Sequence, residues 1–154
     1  MNLILWRHAE AEDAEPDLAR RLTPRGRKQA ARVAKWLREN LPERFVVLAS
    51  PAARTRETAD ELDVEYTVDR RLAPDVDVAH YIAAAQWPEG PQEAAGTVVV
   101  VGHQPVLGRL ASLLLAGEEQ DWTVRKGAVW WLSTREREGR EQVVLRAVVS
   151  PDQL

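Results

Sequence analysis

The sequence contains no cysteine, which excludes disulfides, a thiolate nucleophile and cysteine-ligated zinc at once and agrees with a reducing compartment. It also lacks any apolar run near the ~20 residues that a bilayer-spanning helix needs. Its first residues, Met1 to Trp6, meet charge at Arg7 before a signal-peptide core could form. These absences predict a cytoplasmic protein that does not engage a membrane. No strong excess of one charge is present: the net charge of −3 argues against a general affinity for nucleic acid, while a local basic pocket stays compatible with it. Internal repeats and low-complexity segments are absent. His80 has no second metal-type group at i+4, and no carboxylates cluster at ligand spacing, so neither a metal nor any other cofactor is expected.

What is present is a chain of 154 residues, 45% of them apolar, enough for one domain with a substantial core and too short for two ordinary ones. The expected domain is 1–154. Leu3 to Trp6 is a short apolar run that reads as a buried strand, and a charged loop follows it to Asp17. Thr23-Pro24 is a helix-start signal, and Ala30, Val33, Ala34, Leu37 and Leu41 then repeat at helical spacing until Pro42. Phe45 to Ala49 is a second strand. Ser50-Pro51 opens a helix to about Leu62, with a weak strand at Tyr66 to Val68 after it. Asp77 reads as the cap of a helix ending before Pro88, and the Pro88 to Gly96 stretch as a loop. Thr97 to Val101 is a β-branched run suited to the centre of a sheet. A helix from about Leu107 stops at Gly117, and the runs Ala128 to Leu132 and Val143 to Val149 suggest an edge hairpin around Gly139. The mixed charges from Arg135 to Glu141 read as its solvated turn.

Strands alternating with helices predict an α/β fold, a three-layer α/β/α sandwich with a mostly parallel sheet and a C-terminal antiparallel edge hairpin. Such sheets bind ligands beyond the carboxyl ends of their strands. The loops that matter are therefore those after Trp6, Ala49 and Val101, and each begins with groups suited to phosphate: Arg7-His8, Ser50 to Arg54, and Gly102-His103. Arginine supplies a permanently charged planar fork for phosphate oxygens, and histidine attacks when neutral or donates hydrogen bonds when protonated.

Leu5-Trp6-Arg7-His8-Ala9-Glu10, Leu22-Thr23-Pro24-Arg25-Gly26, Ser50-Pro51-Ala52-Ala53-Arg54-Thr55-Arg56-Glu57-Thr58 and Val101-Gly102-His103-Gln104-Pro105 resemble, in order and spacing, successive motifs of the histidine phosphatase superfamily. Within it they resemble the small SixA-type phosphohistidine phosphatases. The resemblance runs from the start of the chain to about Leu114 and implies a phosphoglycerate mutase-like fold. It makes His8 the phosphoryl acceptor, with Arg7, Arg54 and His103 binding the transferred group. Ala9 departs from the family's usual Arg-His-Gly; a methyl is tolerable there if the backbone is not left-handed.

Chemically, neutral His8 would attack phosphorus through one ring nitrogen while a backbone carbonyl holds the other N–H, giving a phosphohistidine that water hydrolyses. The arginines and a protonated His103 would stabilise the equatorial oxygens, so the two histidines are expected in opposite protonation states. Arg20 precedes Leu-Thr where the family commonly has an arginine, and is either a substrate contact or part of a solvated basic face with Arg21, Arg25 and Arg27. The family's usual glutamate after the third strand is missing. Leu72 to Asp77 offers aspartates only, of which Asp77 suits a helix cap and Asp75 is the candidate general acid. A phosphohistidine substrate relaxes that need, because imidazole leaves as a neutral molecule. The leading expectation is removal of phosphate from phosphohistidine on a partner protein such as a histidine phosphotransfer domain. A small phosphorylated molecule is the alternative substrate, and a catalytically silent phosphate-binding module the alternative of another class. Between Arg54 and His103 no insertion is long enough to form a lid, which favours an open site.

Overall fold

The computed structural model describes residues 1–154. Strand β1 (Asn2–Arg7) is followed by a 3-10 turn at Asp17–Ala19 and helix α1 (Pro24–Asn40). Then come β2 (Val46–Ala49), α2 (Ala53–Asp60), β3 (Thr67–Val68), α3 (Val78–Ala85), β4 (Thr97–Gly102) and α4 (Val106–Ala116). The hairpin of β5 (Val129–Arg137) and β6 (Arg140–Val149) closes the sheet. One six-stranded sheet runs in the order β3-β2-β4-β1-β5-β6. β3, β2, β4 and β1 are parallel, and the hairpin joins antiparallel through β5 against β1.

The alternation of side chains along the strands creates the layers. Leu3, Leu5, Val98 and Val100 point to one face, where they pack with Tyr81 and Ala84 of α3 and Leu107 and Leu110 of α4. Ile4, Trp6, Val99 and Val101 point to the other, against Val33 and Leu37 of α1, Ala59 of α2 and Leu62 just after it. β4 is buried at all six positions, because a strand between two parallel neighbours, with helices on both faces, meets no solvent. Each fully buried Leu or Ile contributes roughly 1.5–3 kcal/mol of transfer free energy, so these two half-cores hold the strand ends to which the loops are attached. No helix is long and apolar enough to cross a membrane.

Local signals act as the sequence suggests. The Thr23 hydroxyl accepts from Gly26 N–H at 2.9 Å, Asp77 caps α3, and Gly117 ends α4 with φ 80°. The tryptophans serve the core: Trp6 is fully buried, Trp36 meets Trp131 edge-on at 6.1 Å, and Trp122 lies 6.1 Å from Trp130. Several boundaries differ. α2 is shorter than expected at both ends, and β3 is reduced to two residues paired with Leu48 and Ala49. The hairpin is longer: its ladder continues to Arg137 opposite Arg140, leaving only Glu138 and Gly139, both with positive φ, as the turn. The expected solvated turn from Arg135 to Glu141 is thus mostly strand. Beyond β1 this ribbon has no partner sheet, so its charged side chains lie in water while the backbone remains paired, a combination that hydrophobic patterning does not register.

Candidate active site

β1, β2 and β4 end side by side, with Arg7 opposite Gly102 and Ala49 opposite Val101. The pairing continues one step into the loops: His8 N–H donates to the Gly102 carbonyl at 3.2 Å, and Ser50 N–H to Val101 at 3.1 Å. His8, Ser50 and His103 are therefore positioned by sheet geometry. A cavity of about 300 Å³ lies above them, and its lining includes all six residues singled out from the sequence: Arg7, His8, Arg20, Arg54, Asp75 and His103. A larger cavity, about 640 Å³, lies beyond the Asp17–Ala19 turn and holds no histidine.

His8 is buried, and its Nδ1 lies 2.7 Å from the Ala9 carbonyl. A carbonyl only accepts, so Nδ1 carries the proton and Nε2 keeps its lone pair. Burial pushes the imidazole pKa down to about 4; the Ala9 hydrogen bond opposes this, and the guanidiniums of Arg54, Arg7 and Arg20 reinforce it. Ala9 itself is fully buried and not left-handed. Its N–H donates to Thr58 Oγ1 at 3.1 Å and its methyl packs with Leu22 and Ala30, so a side chain is accommodated where the family usually has glycine.

His103 follows β4, its backbone N–H donating to the Tyr81 hydroxyl at 3.1 Å. That hydroxyl donates in turn to the Leu72 carbonyl at 3.1 Å. Gly102 makes this possible, since a Cβ there would overlap the Tyr81 hydroxyl and ring. The His103 ring places Nε2 2.8 Å from Ser50 Oγ and Nδ1 3.5 Å from Arg54 Nη2. Because the guanidinium can only donate, Nδ1 is the acceptor and Nε2 carries the proton. Burial, then the positive field of His8 and Arg54, lowers the pKa to about 3, with Asp17 opposing. The expectation of a charged His103 is thereby corrected for the resting protein: a buried imidazole beside guanidiniums is neutral until an anion joins it.

Arg54, in the first turn of α2, is 5% exposed, so its guanidinium belongs to the site and not to solvent. It does not pair with Glu57, which instead takes Arg21 Nε at 2.9 Å, Arg27 Nη2 at 3.3 Å and Leu22 N–H at 2.8 Å, and so ties the start of α1 to α2. Arg7 Nη1 donates to the Val124 carbonyl at 2.9 Å. The Nε–H groups of Arg7 and Arg54 are both buried without a protein acceptor. Charged donors in that state are costly, and positive charge held this way favours an anion in the adjoining cavity.

Asp17 is the residue that sequence reasoning missed. Its carbonyl accepts from Arg54 Nη1 at 2.9 Å, and its carboxylate from Arg54 Nη2 at 3.2 Å and Arg20 Nη1 at 3.3 Å. The guanidiniums hold its pKa below the usual carboxylate range although desolvation opposes them. The signal available was its place three residues before Arg20 in a stretch already tied to the family's Arg-Leu-Thr pattern. Arg20, whose Nε donates to the Glu12 carbonyl at 2.7 Å, is a structural brace of this loop as well as a cavity residue. Asp75 also lines the cavity, with φ 67°, and Asp77 is engaged with His80 at 2.6 Å, as a cap. Lys126 also lines the cavity, from the connection before β5, where no motif marks it. Nowhere do three or more His, Cys, Asp or Glu side chains gather as a metal ion would require.

Two histidines and two guanidiniums, that of Arg54 buried and that of Arg7 half-buried, at the carboxyl end of a parallel sheet define a phosphoryl-handling α/β enzyme. Residues 3–77 match the family model of the histidine phosphatase superfamily, branch 1. The phosphohistidine phosphatase SixA of Escherichia coli (strain K12) is 31% identical over 125 residues, 77% of this chain and 76% of that protein. The SixA homolog of Haemophilus influenzae is 30% identical over 129 residues, covering 74% and 77%. A structure of the protein histidine phosphatase SixA complexed with tungstate superposes with a TM-score of 0.83 at 28% identity, covering 99% of both chains. A mycobacterial glucosyl-3-phosphoglycerate phosphatase shares the fold, with a TM-score of 0.69 at 20% identity and coverage of 95% and 97%. The chain belongs to the histidine phosphatase superfamily and is a phosphatase of its SixA-like kind.

Proposed function

We propose that this chain, acting as one domain of residues 1–154, hydrolyses phosphohistidine on a partner protein through a phosphohistidine formed on its own His8. The observation that carries this reading is the His8 tautomer: with Nδ1–H committed to the Ala9 carbonyl, Nε2 is an uncharged nucleophile beside two guanidiniums. The guanidiniums of Arg7 and Arg54 hold oxygens of the incoming phosphoryl group. As His8 Nε2 bonds to phosphorus, the substrate N–P bond breaks, and the departing imidazole leaves neutral because its distal nitrogen is already protonated. Water then attacks the same phosphorus, the His8 N–P bond breaks, and inorganic phosphate departs with the water oxygen. His103, once protonated next to the anion, and the two arginines stabilise the charge spread over the equatorial oxygens in both steps. None of these steps calls for a metal.

The short β3–α3–β4 connections, which carry no lid, and the absence of the family's glutamate favour a protein-borne phosphohistidine over an enclosed metabolite. The SixA relatives, named for phosphohistidine, point the same way. One observation favours the second reading, a small-molecule phosphomonoesterase: Asp75 lines the cavity and could protonate an alkoxide leaving group. The test is brief exposure to a phosphotransfer domain labelled on phosphohistidine, then quenching. An acid-labile, base-stable phosphoenzyme that disappears in His8→Ala is expected. Labelling that survives the substitution, or a kcat/KM about 100-fold higher for a sugar phosphate, nucleotide or phosphoglycerate, would reverse the assignment.

A further inference from the structure

A second cavity, about 400 Å³, adjoins the catalytic one and shares Arg7 and Lys126 with it. Its lining adds two more cations, Arg25 and Arg125, and two carboxylates, Glu10 and Asp152. Both carboxylates are engaged. Glu10 accepts from the Thr23 hydroxyl at 2.7 Å, and Asp152 pairs with Arg125 at 3.4 Å. Arg25 and Lys126 pair with no carboxylate anywhere in the molecule. With Glu10 and Asp152 counted, the lining beyond Arg7 keeps a net positive charge next to the catalytic cavity, in a protein whose net charge is −3, and Arg25 and Lys126 are its two cations without an ion-pair partner.

The cavity wall is built into the fold. The connection that carries Lys126 is clamped to the end of β1: Arg7 Nη1 donates to the Val124 carbonyl at 2.9 Å, Trp6 Nε1 to the Gly127 carbonyl at 3.1 Å, and Gly127 N–H to the His8 carbonyl at 3.1 Å. Gly127 has φ +73°, and a Cβ on it would press on the Pro151 ring at 2.9 Å. Arg25 is set by the second position of α1, whose start Thr23 caps. The same segments that place His8 and Arg7 thus place the two free cations.

We infer that this cavity receives a carboxylate which the phosphoprotein presents beside its phosphohistidine, so that Arg25 and Lys126 select and orient the partner while Arg7 and Arg54 take the phosphoryl group. This rests on the phosphohistidine reading above and adds the chemistry of the partner's surface. A carboxylate fits better than a second phosphate of a metabolite because Arg25, Arg125 and Lys126 are all exposed: solvated cations steer and register a large partner but capture a small ligand weakly.

The test compares Arg25→Glu with Arg32→Glu, the same charge change at an exposed position of α1 outside both cavities. Substrates are a phosphohistidine-bearing phosphotransfer domain, a bisphosphorylated metabolite, and phosphoramidate, which has no second anion. Arg25→Glu is expected to lower kcat/KM for the domain about tenfold through KM, with kcat and phosphoramidate turnover unchanged and Arg32→Glu near wild type. Equal losses on both substrates, or equal effects of the two variants, would overturn the inference. So would a loss confined to a bisphosphorylated metabolite, which would assign the anion to a small molecule. If wild type leaves the phosphodomain untouched, the parent reading fails by itself. The cavity is then judged separately by titrating the unphosphorylated phosphotransfer domain: a Kd about tenfold higher in Arg25→Glu than in wild type and Arg32→Glu supports the carboxylate contact, and equal Kd values in all three remove it.

Discussion

The rings of His8 and His103 lie 5.4 Å apart between centroids, tilted by 56°, and the guanidiniums of Arg54 and Arg7 act on both. Each imidazole is neutral in the resting protein for the same reasons, burial and a positive field. Their roles diverge only when an anion arrives: His8 has its Nδ1 proton tied to the main chain, whereas His103 Nδ1 faces Arg54 Nη2 at 3.5 Å and takes a proton once an anion draws that guanidinium to itself.

The first prediction concerns the acid limb of activity. His8 must be neutral to attack, and its pKa lies near 4, so kcat/KM should be retained as pH falls through 6 and be lost only on passing about 4. A pH–rate series corrected for substrate ionisation would show it. A limb near the ordinary histidine value would mean that His8 is not desolvated. Stability has the matching sign: between the depressed folded values and 6.5 the unfolded chain binds more protons, so folding is fully favoured above 6.5 and weakens as pH drops below it. Urea midpoints at neutral and mildly acidic pH should diverge less in His103→Asn than in wild type.

Oxyanion binding should take up a proton. His103 is neutral without an anion, and a tungstate or phosphate held by Arg7 and Arg54 raises its pKa. Calorimetry in buffers of different ionisation enthalpy should detect an uptake approaching one proton in wild type, and less in His103→Asn. Identical heats across buffers for wild type would leave His103 neutral throughout the reaction.

Asp17 sets a third expectation. Its carboxylate holds one Nη2 donor of Arg54 and stands at the mouth of the cavity, so it competes with phosphate for the same guanidinium. Asp17→Asn should tighten inorganic phosphate about two- to fivefold, the range of an exposed ion pair. Weaker binding in that variant would show instead that the carboxylate serves to hold Arg54 in place.

The Tyr81 hydroxyl offers a structural test of how the second histidine is held. Tyr81→Phe leaves the His103 N–H and the Leu72 carbonyl without their partner inside the core, at a cost of about 1–3 kcal/mol. Chemical denaturation should report that loss, and kcat should fall with it as the His103 loop loosens. A variant with wild-type stability would mean that other groups satisfy both.

Much of this protein was legible in the chain itself. The β-branched run Thr97 to Val101, the periodic face of α1 and the alternation of strand and helix determined a parallel sheet, because those patterns depend on local periodicity and burial. Arg7, His8, Arg54 and His103 could be named because each stands at a strand end or first helical turn, where an α/β sheet gathers its loops. Other features depended on the tertiary structure. The paired charged ends of β5 and β6, the Asp17 carboxylate on Arg54 and the arrival of Lys126 beside Arg7 join segments far apart in the chain or depend on backbone pairing that hydropathy does not encode. The neutral state of His103 belongs to the same group: a residue type carries an ordinary pKa, and only the packing around it decides which charges stand close and how much water is lost.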